Sequence, residues 1–175
     1  MTLELENITQ GFPGLTKHMG QFLGEACIVC LSRHHHSCHG TPLSLSGDVK
    51  KTIELVWADV FDDQVDRTWN DQEEATEYGA ACLSILIMLE STPFTLIERS
   101  AKGSGVDYWL GLKGDLLLQR IARLEVSGIF HGANKVDARF RAKIEQVQQS
   151  NLTGLPAYIC VVEFGTPLAI FGEIK

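Results

Sequence analysis

A strand, helix, strand pattern in the last third of the chain constrains the fold most. Residues 121–129 have the composition of a strand, and residues 136–149 carry apolar side chains at helical spacing. Residues 156–164 form a near-continuous apolar run bounded by proline and glycine, typical of a central strand covered on both faces. Because a helix between parallel strands satisfies the right-handed crossover rule, the pattern predicts an α/β fold. The apolar residues on one helix face are Val136, Phe140, Ile144 and Val147.

The residues before this pattern supply the rest of a predicted core. Residues 72–89 have helical apolar spacing with acidic residues in the first turn, and a Ser-Thr-Pro sequence ends that helix. Further strands are predicted at 94–100 and 106–111, each followed by a glycine-containing turn. From residue 72 onward the predicted order is therefore helix, strand, strand, strand, helix, strand.

The N-terminal part of the chain predicts a helix and a β-hairpin. Residues 15–33 have an apolar helical face, and residues 42–45 and 51–57 alternate as two strands that turn at a Ser-Gly-Asp sequence. The acidic segment at 59–71 is the predicted connection to the core. The residues expected to point inward from the first helix are Leu15, Met19, Phe22, Leu23, Ala26 and Cys30.

Length and apolar content predict one domain. The chain has 175 residues, of which 45% are hydrophobic, which is enough for a substantial core. We expect residues 1–70 to be a helix and hairpin extension of a core at 71–175. The pattern leaves open whether this extension is a lobe packed on the sheet or a continuation of it.

Charge and cysteine usage limit the functional classes. A net charge of −7 disfavours nonspecific electrostatic binding of nucleic acid over a large surface. The basic residues, however, concentrate between 99 and 143. No apolar run is long enough to predict a membrane span, and the N-terminus lacks the regions of a signal peptide. Five cysteines without secretory features predict reduced thiols, so we expect a cytoplasmic protein with no membrane association.

Two carboxylates interrupt apolar strand segments that we expect to be neighbours. Asp107 lies at the start of one segment and Glu125 lies in the next, on the face shared with Arg123 and Ser127. A buried carboxylate needs a compensating cation or hydrogen bonds. Two converging carboxylates, with waters, suit Mg²⁺ or Mn²⁺. The alternative is a buried ion pair with a nearby arginine: Arg99, Arg120 or Arg123.

These residues resemble the PD-(D/E)XK nuclease superfamily, whose signature is an Asp at the end of one strand and Glu/Asp-x-Lys on the next. The resemblance covers roughly residues 72–164 and implies a restriction endonuclease-like αβββαβ core, with a mixed sheet flanked by helices. It also implies metal-dependent hydrolysis of DNA, with Asp107 and Glu125 as metal ligands. Val106 stands in place of the family proline, and Ser127 stands in place of the family lysine, which helps to orient or activate the attacking water.

The absent signature lysine leaves a second cation to be identified. Lys102 and Lys143 are the candidate substitutes, and Ser127 could hydrogen-bond a water at the site. Lys143 is predicted on the helix face that leans towards the carboxylates, together with Arg139 and Gln146. Solvated side chains at the rim of the fold are the alternative for both lysines and for Gln146.

Glu77 is a further candidate ligand of the metal, and four residues are candidate contacts of nucleic acid. Glu77, one helical turn after Glu73, could add a third metal ligand, or both could simply complement the helix dipole. The residues predicted to contact nucleic acid are Arg99, Arg123, Arg139 and Gln146.

A separate cysteine and histidine cluster raises the question of zinc. The sequence CIVCLSRHHHSCHG places Cys27, Cys30, Cys38 and His39 close together. Cys27 and Cys30, however, fall on the apolar face of a predicted helix, where cysteine behaves as a small hydrophobic residue. We therefore expect a helix end rather than a structural zinc site.

Three functional hypotheses remain from the sequence. The first is a metal-dependent nuclease acting on DNA in restriction, repair or mobile-element defence. The second is a catalytically inactive module of the same fold that binds a protein partner, a second copy or nucleic acid. The third is a small enzyme or ligand-binding protein that uses the same polar pocket. Metal-dependent cleavage separates the first from the second.

Overall fold

The computed structural model describes residues 1–101, 103, 105–149 and 153–174. Within them lie eight strands, four α-helices and two short 3₁₀ helices, at Leu5–Gln10 and Ala133–Lys135. The strands are β1 Thr2–Glu4, β2 Thr41–Gly47, β3 Lys51–Val56, β4 Phe94–Arg99, β5 Tyr108–Leu112, β6 Ala122–Ile129, β7 Ala157–Glu163 and β8 Leu168–Ile174. The helices are α1 Lys17–Arg33, α2 Asp63–Thr68, α3 Gln72–Ser91 and α4 Val136–Gln149.

All eight strands form one mixed sheet in the order β1-β3-β2-β8-β7-β6-β5-β4. The β2–β3 hairpin joins this sheet through the parallel pairing of β2 with β8. The N-terminal extension is therefore a continuation of the core sheet and not a separate lobe. The sequence pattern did not predict β1, α2 or β8. β1 and α2 are short, with three and six residues, whereas β8 has seven residues and pairs with both β7 and the distant β2.

The element order predicted from residue 72 onward is the one observed. It runs α3, β4, β5, β6, α4, β7, with β4–β5 and β5–β6 antiparallel and β6–β7 parallel. The α/β fold class is therefore confirmed. None of the described helices is long and apolar enough to cross a lipid bilayer.

Helices cover the two faces of the sheet. On one face α3 packs on β6 and β7 and is itself covered by α1, whereas α4 packs on β6, β7 and β8 from the other face. Alternate β7 residues separate accordingly: Cys160 and Val162 join the α1/α3 core, and Ile159 and Val161 join the α4 core. This confirms β7 as a strand buried on both faces.

The close approach of α3 to β6 depends on one glycine. A Cβ atom at Gly128 would lie 2.5 Å from the backbone oxygen of Thr76 on α3, which is shorter than a van der Waals contact. The first turns of α3 therefore lie directly beside the C-terminal half of β6. This places the acidic start of α3 next to the strand that carries Glu125.

Two details of the N-terminal half and of β5 differ from the predictions. Phe22 remains 40% exposed, because it packs at the rim against the rings of Trp69 and Tyr78 rather than in the core. The strand predicted from residue 106 begins at Tyr108, so Asp107 immediately precedes β5.

Candidate functional site

A polar cleft of about 610 Å³ opens where β5 begins. Strand pairing between β5 and β6 starts at Tyr108 opposite Leu124, so the following β6 residues have no β5 neighbour along that edge. This edge forms the floor of the cleft, and the first half of α3 and the first half of α4 form its walls. Asp107, Ser127, Arg139 and Lys143 all line it.

Asp107 takes the place of the missing strand neighbour. Its backbone N–H donates to Leu124 O at 3.1 Å, and its carboxylate Oδ2 accepts the Val126 N–H at 2.8 Å. These two bonds hold the carboxylate at the edge of β6. Asp107 is exposed at the cleft.

Glu125 is buried beside it, and α4 supplies its partners. The residue is 3% exposed, and its Oε1 accepts from Lys143 Nζ at 2.6 Å and from Gln146 Nε2 at 3.1 Å. Lys143 and Gln146 are three residues apart, so they lie on the same side of α4. The cation that pairs with Glu125 is therefore Lys143 on α4 and not one of the three arginines that the sequence suggested, although the charge of Arg99 acts on Asp107.

The two carboxyl groups interact directly with each other. Burial raises the pKa of Glu125 and the neighbouring Asp107 raises it further, whereas the Lys143 hydrogen bond opposes this. Loss of water inside the cleft raises the pKa of Asp107, opposed by the Val126 N–H and by the positive charges of Lys143 and Arg99. Asp107 and Glu125 also lie within hydrogen-bonding reach of each other, so they can share one cation or one proton.

Replacing Asp107 by asparagine is expected to stabilise the metal-free protein by less than about 1 kcal/mol at pH 8, because solvent screens the exposed carboxylate. Asparagine keeps the bond from Val126 N–H but removes a carboxylate whose charge is disfavoured by loss of water in the cleft and which raises the pKa of Glu125. A carboxyl with a raised folded-state pKa contributes stability below its unfolded pKa, about 3.9, and loses it as pH rises. The difference in stability between Asp107→Asn and the wild type should therefore become smaller towards pH 4.

The measurement is thermal unfolding across this pH range with a chelator present. Asp59→Asn, at an exposed position outside the cleft, is the matched control and should change the melting temperature little at any pH. A variant at Asp107 that is less stable than the wild type at pH 8 would contradict the carboxylate repulsion.

Ser127, which stands in the position of the family lysine, is buried and accepts a hydrogen bond from Arg139 Nη1 at 3.0 Å. Arg139 is exposed on α4 and lines the cleft, as does Arg99 at the end of β4. Both arginines, which are predicted to contact nucleic acid, therefore line the same cleft as Asp107. Lys102, the other candidate substitute for the lysine, lies outside the described residues.

Arg123 does not lie where that prediction requires. It is 2% exposed and its guanidinium donates to Leu155 O at 3.0 Å, away from the cleft. Desolvation lowers its pKa. Arg120, considered as a partner of the carboxylates, instead pairs with Glu98 and stacks over Trp109. Of the three β6 residues expected on one face, Glu125 bonds to Lys143 and Ser127 bonds to Arg139, both on α4, whereas Arg123 bonds to Leu155 O.

Glu77 and Glu73 lie on the α3 wall of the same cleft, both exposed. Within the part of the chain that the structure describes, no three His, Cys, Asp or Glu residues are arranged to hold a metal. Asp107 and Glu125 are therefore a two-carboxylate arrangement, and Glu77 does not join them as a third ligand. Mg²⁺ is commonly bound by one or two carboxylates, with waters and substrate phosphate oxygens as its remaining ligands.

The cysteine and histidine cluster has other contacts. Cys27 and Cys30 are buried on α1, and burial raises the pKa of the Cys30 thiol to about 12, which disfavours the thiolate that zinc requires. His34 and His36 each place Nε2 2.8 Å from a backbone oxygen, that of Phe130 and Phe164 respectively. These bonds attach the end of α1 to the segments after β6 and β7. Cys38 is partly buried and His39 is exposed.

The sequence did not single out some residues of the cleft. Tyr78, Phe130 and His131 line it, on α3 and in the loop that follows β6. Phe130 and His131 could have been predicted from their position in the sequence, because they follow a predicted strand. Ligands of α/β proteins bind outside the carboxyl ends of strands. Comparison with protein-family models, curated proteins and solved structures finds no match to this chain.

Proposed function

We propose that the chain is a metal-dependent nuclease that hydrolyses DNA phosphodiester bonds in this cleft. The observation that carries the proposal is the contact of Asp107 with Glu125, together with the Lys143 ammonium 2.6 Å from Glu125. Two carboxylates and one lysine are the groups that the PD-(D/E)XK resemblance requires. Here the lysine comes from α4 and not from the position of Ser127.

The arrangement of secondary structure supports the same proposal. The order α3, β4, β5, β6, α4, β7 agrees with the αβββαβ order of restriction endonuclease-like cores. Asp107 immediately precedes β5, whereas the family signature has its Asp at the end of a strand. Glu125 lies within the adjacent β6, as the signature requires of its second acidic residue. The eight-stranded sheet would then be this core extended by β8, the hairpin and β1.

The charges of the cleft suit a metal and a phosphodiester together. Two carboxylates and the Lys143 ammonium leave an excess of negative charge that a divalent cation would reverse. A bound Mg²⁺ or Mn²⁺ supplies a nucleophilic water near neutral pH and offsets phosphate charge. Lys143 would supply the charge with which the family lysine orients or activates the attacking water, and Arg139, on the same wall, would bind phosphate.

The test is hydrolysis of linear DNA by the purified chain with Mn²⁺ or Mg²⁺. Strand cleavage is expected with either metal and is expected to stop when a chelator is added. Ser127→Ala should reduce the rate less than tenfold, because the hydroxyl carries no charge. If no DNA substrate is cleaved in either metal, alone or with the products of neighbouring genes, the proposal is wrong.

One observation favours the second hypothesis, a catalytically inactive module. Ser127 cannot act as an ammonium and is bonded to Arg139, and the chain carries a net charge of −7. Such a module would bind a protein partner, a second copy or DNA within a larger complex. Roles in restriction, repair or mobile-element defence rest on analogy for either hypothesis. Preserved metal binding without cleavage would favour the module.

A further inference from the structure

The two walls of the cleft carry opposite charge. On the α4 side, Lys135 and Arg139 are both exposed and lie four residues apart, one helical turn. On the α3 side, Glu73 and Glu77 are exposed with the same spacing. Arg99 also lines the cleft, at the end of β4. Phosphates are attracted to the α4 wall and repelled by the two carboxylates of α3, so the α4 wall is the side for a nucleic-acid backbone.

The volume of the cleft limits the size of the ligand that it can take. Its volume of about 610 Å³ is within the range of pockets that take small molecules. A duplex placed across it would bring the phosphates of its second strand towards Glu73 and Glu77. Like charges against a partner are a common way in which proteins reject an alternative ligand.

Aromatic side chains complete the cleft. Tyr78 and Phe130 are half-buried and line it, and Phe130 packs on His34 with ring centroids 4.3 Å apart. Proteins that bind single strands combine a basic track for the backbone with aromatic rings on which unpaired bases stack. In a duplex, the bases are already stacked and cannot use such rings.

We infer that the cleft takes an unpaired DNA strand rather than a duplex. The backbone of the strand follows Lys135 and Arg139, and its bases lie towards the aromatic rings. The inference rests on the proposed function for the identity of the ligand, and it adds the class of DNA substrate. Selection comes from Glu73 and Glu77, which exclude the second strand.

Binding can be measured without hydrolysis, by fluorescence anisotropy of a labelled oligothymidylate and of a labelled duplex of equal length, with a chelator present. The single strand is expected to bind at least about tenfold more tightly. With two phosphate contacts, its log affinity should fall against log salt concentration with a slope of about −1.4. Lys135→Ala should reduce this slope by about half, whereas Lys50→Ala, at an exposed position in the hairpin turn, should not change it.

A charge variant on the opposite wall tests selection directly. Glu73→Gln is expected to improve duplex binding more than single-strand binding, because it removes repulsion of the second strand. Duplex binding as tight as strand binding, or no binding of either, would overturn the inference. Equal hydrolysis of both substrates would overturn it while leaving the proposed function intact. Strand binding without hydrolysis in Mn²⁺ would instead count against the proposed function alone.

Discussion

Glu125→Gln is expected to reduce metal-dependent DNA hydrolysis by at least about a thousandfold while the chain stays folded. Glutamine keeps the size of the side chain, and its carbonyl oxygen can still accept from Lys143 and Gln146. It removes the buried negative charge that would hold a cation with Asp107. Titration calorimetry with Mn²⁺ should show at least about tenfold weaker binding.

Glu145→Gln is the matched control, since Glu145 is exposed on the same helix and does not line the cleft. It should leave both hydrolysis and Mn²⁺ affinity close to those of the wild type. Asp107→Asn should behave as Glu125→Gln does in both assays. Activity of Glu125→Gln within tenfold of the wild type would mean that the cleft carboxylates do not take part in the reaction.

Lys143→Ala is expected to destabilise the protein by about 3 kcal/mol at pH 8, because it leaves Glu125 buried without its cation. Burial already raises the pKa of Glu125, and loss of Lys143 raises it further. The carboxyl therefore takes up a proton as pH falls, and the loss of stability should be smaller at pH 5 than at pH 8. Chemical denaturation at both pH values measures the difference.

A double-mutant cycle separates this effect from simple loss of packing. Lys143→Ala combined with Glu125→Gln should recover most of the lost stability, since no unpaired charge remains. Arg141→Ala, an exposed position on the same helix, should change stability by less than about 0.5 kcal/mol. Hydrolysis by Lys143→Ala should fall by at least about a hundredfold. Equal stability loss at pH 5 and pH 8 would contradict a role in neutralising Glu125.

Asp107, Glu125 and Lys143 could be selected as candidate site residues from the sequence, because the patterns that mark them involve residues close together in the chain. Asp107 and Glu125 stand out because charged residues seldom interrupt apolar strand segments without compensation. Lys143 follows from helical spacing, which places it beside the apolar face of α4. Helical spacing does not give the distance from a helix to a strand. It therefore leaves open whether the Lys143 ammonium contacts the carboxylates or is solvated at the rim of the fold.

Gln146 and Arg123 show what local pattern does not resolve. Gln146 was a candidate contact for phosphate or base, and in the structure it donates to Glu125 at 3.1 Å. Arg123 shares the alternating face of Glu125, yet it is buried and bonded to Leu155 O. A shared strand face does not mean a shared site, because the helix that covers the strand meets each position differently.

Periodicity and apolar runs in the sequence by themselves determined the α/β class, the order of elements from residue 72 onward and the double burial of β7. These depend on interactions between residues close in the chain, which fix helix and strand locally. Tertiary structure alone decided that the hairpin joins the sheet through β8, that β5 begins only at Tyr108 and so leaves the cleft open, and that Lys143 reaches Glu125. Each of these depends on strand register and helix placement, which are set by contacts between residues far apart in sequence.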